Sequence, residues 1–376
     1  MTTRYRVFVA VTPGLEPLLA QELVELGLCD RPSAVAGGVE LAGDRRCVWQ
    51  VALRSRLAES VRVRLGRPFR AVRFEQLRER LGRLPWSAYI PRGLRPEVRV
   101  SCRRSRLYHS DAVAQRIEAV LEERLETAAP VAAAGLHAGG LQPPRVYARL
   151  ERDLVQISID ASGEPLHRRG YRTHVGAAPL RETLAAACLR AAGLSGVSAL
   201  WDPFCGAGTV PVEALREAMD LAPGASRRFA FEAWPTHDAE AYGVLVRDLP
   251  AARPPAMSVF GSDVDRDVLA AARDNARRAG VAEHLKLLEG DFETVAARIP
   301  PGAAVVTNPP HGRRLTGRGL RELHRRLGAL LAGRPDLSPV HVLTGYPGFR
   351  RATGLPWRQV LTFDNRGSPV RLLRLR

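Results

Sequence analysis

Four short stretches hold the residues whose types and spacing could do chemistry. In VVTNPPHGRR, residues 305–314, an apolar run stops on Asn308, Pro309, Pro310 and His311 and then turns basic. Val305 and Val306 suit a sheet interior. Pro309 and Pro310 lack an N–H and cannot continue a central strand, so the chain must leave the sheet at Asn308. This predicts a rigid polar loop at a strand's carboxyl edge, where open parallel sheets bind ligands. In LWDPFCGAGTVPVEAL, the residues Asp202, Phe204, Cys205, Gly206 and Gly208 fall between a strand and a helix. The glycines let backbone approach a ligand closely, the helix start offers unpaired N–H groups to a carboxylate, and Asp202 can take a cationic amine. A zwitterionic amino-acid group fits this combination better than a pyrophosphate. Asp263 ends the run SVFGSD, where a carboxylate can accept both hydroxyls of a ribose. Asp265 stands where the next helix needs an N-cap. Asp291 and Phe292 follow LKLLEG and suit an adenine amino group and an adenine face.

The elements that must hold these residues follow from periodicity. From APLRETLAAACLRAAG onward, helices of roughly 10 to 15 residues alternate with short apolar strands (ALWDPF, SVFGSDV, LKLLEGD, AAVVTNPP, PVHVLTG), the pattern of a doubly wound parallel α/β sheet. The N-terminal part has another texture. YRVFVAVTPGLEPLLAQELVELGL reads as a strand, a Pro-Gly turn and a helix with Leu15, Leu18, Leu19, Leu23 and Leu26 on one face, closed by Gly27. Strands and helices alternate through EVRVSCRRSRLYHSDAVAQRIEAVLEERLE, whose helix opens at Ser110 or Asp111, and two alternating strands flank a turn at 151–153. This predicts a small α+β region, with a boundary between 165 and 178.

Composition narrows the partners. The 376 residues carry a net charge of +17, almost all of the cationic side chains being Arg. The charge is uneven: residues 62–106 hold 14 Arg against three Glu, interleaved with Phe69, Phe74, Trp86 and Tyr89, which predicts contact with a nucleic acid. The five cysteines are odd in number and form no C-x-x-C pair, so neither a disulfide framework nor a zinc site is indicated. No stretch is long and apolar enough for a membrane span, and a cytoplasmic location is expected. His109 and His167 have no partner pattern for metal or nucleophilic catalysis, and Cys205 reads as a small packing residue.

DPFCGAGT together with NPPHG resembles the class I S-adenosylmethionine-dependent methyltransferases that act on exocyclic amino groups. Adding GLEPLLAQELVELGL, SRLYHSDAVAQRIEAVL, LHRRGYR, APLRETLAAACL and TNPPHGRRL, nearly the whole chain resembles THUMP-domain RNA methyltransferases acting on guanine N2. The resemblance implies a ferredoxin-like segment over 1–58, a THUMP RNA-binding module over 59–165 and a Rossmann-like methyltransferase domain over 166–376. It implies S-adenosyl-L-methionine as cofactor, with donor contacts at Asp202, Phe204, Cys205, Gly206, Gly208, Asp263, Asp291 and Phe292. Asn308, Pro309, Pro310 and His311 would then hold the target base: Asn308 and the first proline's carbonyl accept from the planar nitrogen while His311, in the place of the commoner Tyr or Phe, stacks. Structured RNA, ribosomal or transfer, is the expected partner, held through Arg103, Arg104 and Arg106, with Arg169 and Arg172 as either phosphate contacts or interdomain ion pairs. Adenine-N6 methylation, and a non-catalytic RNA-binding or ribosome-assembly role, are the alternatives.

Overall fold

The computed structural model describes residues 4–29, 31–125, 143–172, 180–310, 317–365 and 367–376. The first part of the chain runs β1 (Tyr5–Ala10), α1 (Glu16–Glu25), β2 (Ser33–Val35), β3 (Gly38–Gly43), α2 (Arg45–Arg54), β4 (Ser60–Arg70), α3 (Phe74–Leu81), β5 (Glu97–Arg103), α4 (Ser110–Leu125), β6 (Arg145–Glu151) and β7 (Leu154–Asp160). It continues with α5 (Glu182–Ala192), β8 (Ala199–Asp202), α6 (Thr209–Ala218), α7 (Ala239–Arg247), β9 (Ser258–Asp263), α8 (Arg266–Arg278), β10 (Leu285–Glu289), α9 (Phe292–Ala296), β11 (Ala304–Thr307), α10 (Gly317–Gly333), β12 (Val340–Thr344), α11 (Phe349–Thr353), β13 (Trp357–Asn365) and β14 (Ser368–Leu375). Two compact units result, one of residues 1–11, 20–166 and 226–249, the other of residues 12–19, 167–225 and 250–376.

The first unit is built on one seven-stranded sheet, β2-β3-β1-β4-β7-β6-β5. Strict alternation along β4 buries Val61, Val63 and Leu65 and leaves Arg62 and Arg64 on the other face. β4 also joins two halves: it pairs with β1 from Arg6↔Arg64 to Ala10↔Ser60 and with β7 from Arg62↔Asp160 to Arg70↔Leu154. The ladder slips between Leu65 and Phe69, where Gly66 adopts φ +66 and Pro68 has no N–H to give. The expected cut at 58/59 thus falls just before a strand that both halves share, and the two expected N-terminal modules form one continuous sheet.

The second unit carries the sheet β10-β9-β8-β11-β12-β14-β13. β10, β9, β8, β11 and β12 run parallel, while β14 is antiparallel to both β12 and β13. From β8 the chain builds outward through β9 and β10, then returns to lay β11 against the other side of β8. The order therefore reverses between β8 and β11, and a crevice opens outside their carboxyl ends. The core beneath it includes Trp201, Val305, Val342, Phe292 and Phe349.

Two segments depart from the expected domain limits. Residues 12–19 belong to the second unit: the Asp364 N–H donates to the Pro13 carbonyl at 3.3 Å, and Gly14, at φ +97, lies so close to β13 that a Cβ would stand 2.4 Å from the Thr362 carbonyl oxygen. Residues 226–249, expected within the 166–376 domain, pack in the first unit. Phe231, His237 and Tyr242 surround Trp49 of α2 at ring separations of 6.1, 5.8 and 5.5 Å, and Arg227 donates to the Pro165 carbonyl at 2.9 Å. Aromatic burial outweighs sequence continuity here.

Candidate functional site

The crevice of the second unit gathers Asp202 from the end of β8, Asp263 from the end of β9 and Asn308 just beyond β11. Asp202 is 2% exposed. Its Oδ1 accepts from the Thr307 hydroxyl at 2.6 Å and from the Phe204 N–H at 3.1 Å, while Oδ2 has no donor among the described residues. Burial drives its carboxyl up to about 7; the two hydrogen bonds hold it down only in part, and the charge of Asp263 adds to the rise. A buried carboxylate with one oxygen pinned and the other open is suited to a cation.

Next to it, the glycine turn is fixed from several sides. Gly206 and Gly208 take φ +53 and +83, a backbone that side chains other than glycine rarely adopt. Gly208 is the N-cap of α6, and a Cβ on it would come within 3.1 Å of the Ala272 Cβ on α8. The Gly206 N–H donates to Asp263 Oδ2 at 3.1 Å, the Cys205 N–H to the Ser262 carbonyl at 2.9 Å, and Asn275 Nδ2 to the Ala207 carbonyl at 3.0 Å. Asp263 therefore ties the turn to β9, and its Oδ1 also accepts from the Asp265 N–H at 3.1 Å. Asp265 caps α8, accepting from the Asp267 and Val268 N–H groups. Cys205 fills the space over Gly261, where a Cβ would meet its Sγ at 3.1 Å, and burial beside Asp202 and Asp263 pushes its thiol far above the ordinary range. It is a packing residue with no nucleophilic character.

Phe292 corrects an expectation. It is 3% exposed and faces the core, with its ring 5.1 Å from that of the half-buried Phe204 and the Arg326 guanidinium 5.2 Å over it, so it has no face to give to a ligand. The reason is local: Asp291 caps α9 through the Glu293 N–H, which turns the next residue inward. Asp291 Oδ1 also accepts from Arg326 Nη2 at 2.8 Å. The exposed apolar surface lies instead at Val264, 67% exposed and adjacent to Asp263. A signal for it was present in the sequence: a lone valine in SDVDRD has no apolar neighbour to pack with along the chain.

On the other side of the switch point, β11 ends at Thr307 and Pro309 is buried. Asn308 is half-buried, and its Oδ1 is shut off from solvent with no hydrogen-bond donor among the described residues. A buried acceptor left unmet costs about 1 to 3 kcal/mol. His311 lies outside the described residues.

The arginines divide. Arg103, Arg104 and Arg106 are exposed in the first unit. Of the two readings of Arg169 and Arg172, the structure has ion pairs, within the second unit and not between domains: Arg169 is 2% exposed and pairs with Glu213 at 3.9 Å, and Arg172 donates to the Leu180 carbonyl at 2.8 Å and to the Thr209 hydroxyl at 2.5 Å and pairs with Glu182 at 3.4 Å. Thr209 is the first residue of α6, so Arg172 braces the helix that the glycine turn caps. Tyr171 adds to this, donating from its hydroxyl to Glu213 Oε1 at 3.0 Å.

Residues 169–340 match the model of the RMKL-like methyltransferase domain, and residues 6–62 match that of the RlmL ferredoxin-like domain. The chain is 33% identical over 393 residues to a ribosomal RNA large subunit methyltransferase K/L of Syntrophotalea carbinolica, covering 99% of this chain and 54% of that protein. It thus spans about half the length of the K/L relatives that it matches. It is 30% identical over 376 residues to a putative RNA methyltransferase of a Synechocystis species, covering 98% of this chain and 95% of that one. Among solved structures, a putative methyltransferase complexed with SAH aligns with a TM-score of 0.85 at 26% identity, covering 100% of this chain and 98% of that chain.

Proposed function

Because this chain belongs to the family of RMKL-like methyltransferases, we propose that it transfers a methyl group from S-adenosyl-L-methionine to the exocyclic N2 of a guanine in structured RNA. The names of its relatives favour ribosomal RNA of the large subunit, and cytoplasmic action follows from that substrate. The observation that carries the reading is Asn308 Oδ1, a buried acceptor without a donor at the switch point where Asp202 also lies.

The residues present fit the methyl donor. Asp202 Oδ2 is open to the ammonium of its amino-acid part, and the α6 N-terminus behind Gly206 and Gly208 faces the carboxylate. Asp263 takes the ribose hydroxyls while it holds the glycine turn, and Val264 offers the apolar face for the base that Phe292 does not. When bound, the donor supplies an electrophilic methyl on a sulfonium. The chain's own work lies in placing the nucleophile: Asn308 Oδ1 accepts one N–H of the guanine amine, which orients the lone pair and spares the amine the loss of its water. The rigid Pro309-Pro310 step holds that oxygen still. The amine is cationic once methylated and sheds a proton to solvent without a strong base. A THUMP-type RNA-binding role for the sheet of the first unit completes the reading.

The test is methylation of undermodified ribosomal RNA by the purified protein with labelled donor, followed by nucleoside mass spectrometry. N2-methylguanosine is expected. N6-methyladenosine would move the target to adenine, and the absence of both together with absent donor binding would leave an RNA-binding protein without catalysis.

A further inference from the structure

We infer that Arg278, in the last turn of α8, is a positioning residue for the methyl donor: it holds Asn275 in the one orientation that keeps the glycine turn in shape. The inference rests on the reading of that turn as the donor's cradle, and adds to it a residue that acts on the cradle only through another side chain.

The turn needs support from outside because of its own composition. Ala207 stands between glycines at φ +53 and +83, and glycine takes left- and right-handed backbone with nearly equal ease. Gly208 therefore places little restraint on the plane of the Ala207–Gly208 peptide, which stays in place only where its polar groups are held. Both are held. The Gly208 N–H donates to the Cys205 carbonyl at 2.9 Å, and the Ala207 carbonyl accepts from Asn275 Nδ2 at 3.0 Å. The first bond closes within the turn itself. The second reaches it from α8, 68 residues further along the chain, and is the one that ties the peptide to its surroundings.

Asn275 makes this bond from an unfavourable place. It is fully buried inside a helix, where asparagine is a poorer helix former than alanine or leucine. Its amide could also turn through half a circle and present the oxygen to Ala207, which would set two carbonyl oxygens against each other. Arg278 removes that choice. A guanidinium has donors only, so the Asn275 atom that Arg278 Nη2 meets at 3.0 Å is Oδ1, and Nδ2 is left for Ala207. The guanidinium is itself fixed, because Arg278 Nε donates to the Tyr171 carbonyl at 2.8 Å. Tyr171 is a firm anchor, 3% exposed and held by its hydroxyl on Glu213. Arginine is needed here for its fork, which gives one donor to each of two oxygens in a set geometry; the single nitrogen of a lysine does not reproduce it. The ion pair of this turn falls to the neighbouring Arg277, which meets Asp274 at 3.2 Å, and Arg278 is exposed as a residue. Neither local charge pairing nor burial accounts for arginine at 278.

The test measures the Kd of S-adenosylhomocysteine by calorimetry on the full chain, with Tm alongside. Arg278→Gln should weaken binding about 10-fold, the scale of one positioned hydrogen bond, and lower Tm by about 2 °C or less, since the side chain exchanged is exposed. Arg278→Lys should weaken binding as much as Arg278→Gln. Asn275→Leu, which keeps the volume, should weaken it at least as far, and adding Arg278→Gln to Asn275→Leu should then cost nothing more, because the arginine works through the amide. Wild-type affinity in Arg278→Gln or in Arg278→Lys, or a full further loss from Arg278→Gln on the Asn275→Leu background, overturns the inference and leaves the cradle standing. Wild-type affinity in Asp202→Asn as well as in Arg278→Gln overturns the reading of the cradle itself.

Discussion

Replacing Asp202 by Asn should make the protein more stable and at the same time disable it, and pH separates the two effects. The Asp202 carboxyl titrates near 3.8 in an unfolded chain and at about 7 in the fold. The folded state therefore holds the proton more tightly, so the advantage of a protonated Asp202 is complete below pH 3.8 and is lost as the pH rises through 7. At about 1.36 kcal/mol per unit, ionising this group costs the wild-type fold on the order of 1 to 2 kcal/mol at pH 5 and about 4 kcal/mol at pH 8. Asn keeps the shape, lets Thr307 keep its hydrogen bond, and never ionises. The stability gap in favour of Asp202→Asn should thus widen by roughly 2 to 3 kcal/mol between pH 5 and pH 8, read from denaturant unfolding without ligand. Donor binding should move the other way. Removing the carboxylate that meets an ammonium should raise Kd by about 10- to 100-fold at pH 8. In wild type, donor binding at pH 6 should release a proton, which calorimetry detects as a dependence of the apparent enthalpy on the buffer's ionisation heat. A stability gap that stays constant from pH 5 to pH 8 would refute the claim that Asp202 is a strained, ionisable anchor.

Asn308→Ala should lower turnover by roughly 100-fold with donor and RNA affinities nearly intact, because it removes only the acceptor that places the amine; a parallel loss of RNA affinity would assign Asn308 to general binding. Val264→Ser should raise the donor Kd by about 3- to 10-fold, whereas Phe292→Leu should leave it unchanged and cost the fold about 1 kcal/mol. The reverse pattern in calorimetry would restore Phe292 as the base contact. Gly208→Val combines φ +83 with a Cβ 3.1 Å from the Ala272 Cβ, so it should abolish detectable donor binding at millimolar donor and lower Tm by several degrees. A folded Gly208→Val protein with wild-type donor affinity would rule out the glycine turn as the cradle.

What was legible in the sequence was legible through punctuation. Asp202 and Asn308 announced themselves because each follows a short apolar run and precedes a proline that a sheet cannot absorb, and Asp263 because it closes such a run just before the helix cap at Asp265, so their place at strand ends could be read from a single chain. The glycine turn was legible for the same reason. Direction was not. Phe292 and Arg169 have the right type and stand in the right stretch, yet an N-cap at Asp291 turns the one inward and Glu213 draws the other into the interior. For Arg169 and Tyr171 that direction depends on a partner far along the chain, Glu213, which is 42 residues from Tyr171. The joining of the two N-terminal modules through β4 and the placing of 226–249 in the first unit were not legible, because a strand that pairs on both edges, and a run of aromatics that meets Trp49, leave no local break in pattern.

The position of the site is a consequence of strand order more than of any one motif. Asp202 and Thr307 lie 105 residues apart, and their 2.6 Å hydrogen bond exists only because β11 returns to the free side of β8. That bond does two things at once. It occupies Oδ1, so Asp202 has a single direction, through Oδ2, in which to meet a cation. It also fixes the last residue of β11, and with it the starting point from which Asn308 and Pro309 project. The anchor proposed for the methyl donor and the acceptor proposed for the target amine are thus held by one shared contact. A shift of β11 relative to β8 would break the Thr307 bond and leave the Phe204 N–H alone to support the charged form of Asp202. The placement of nucleophile against methyl group, which transfer between two bound groups requires, is in this way tied to the stability of the sheet itself.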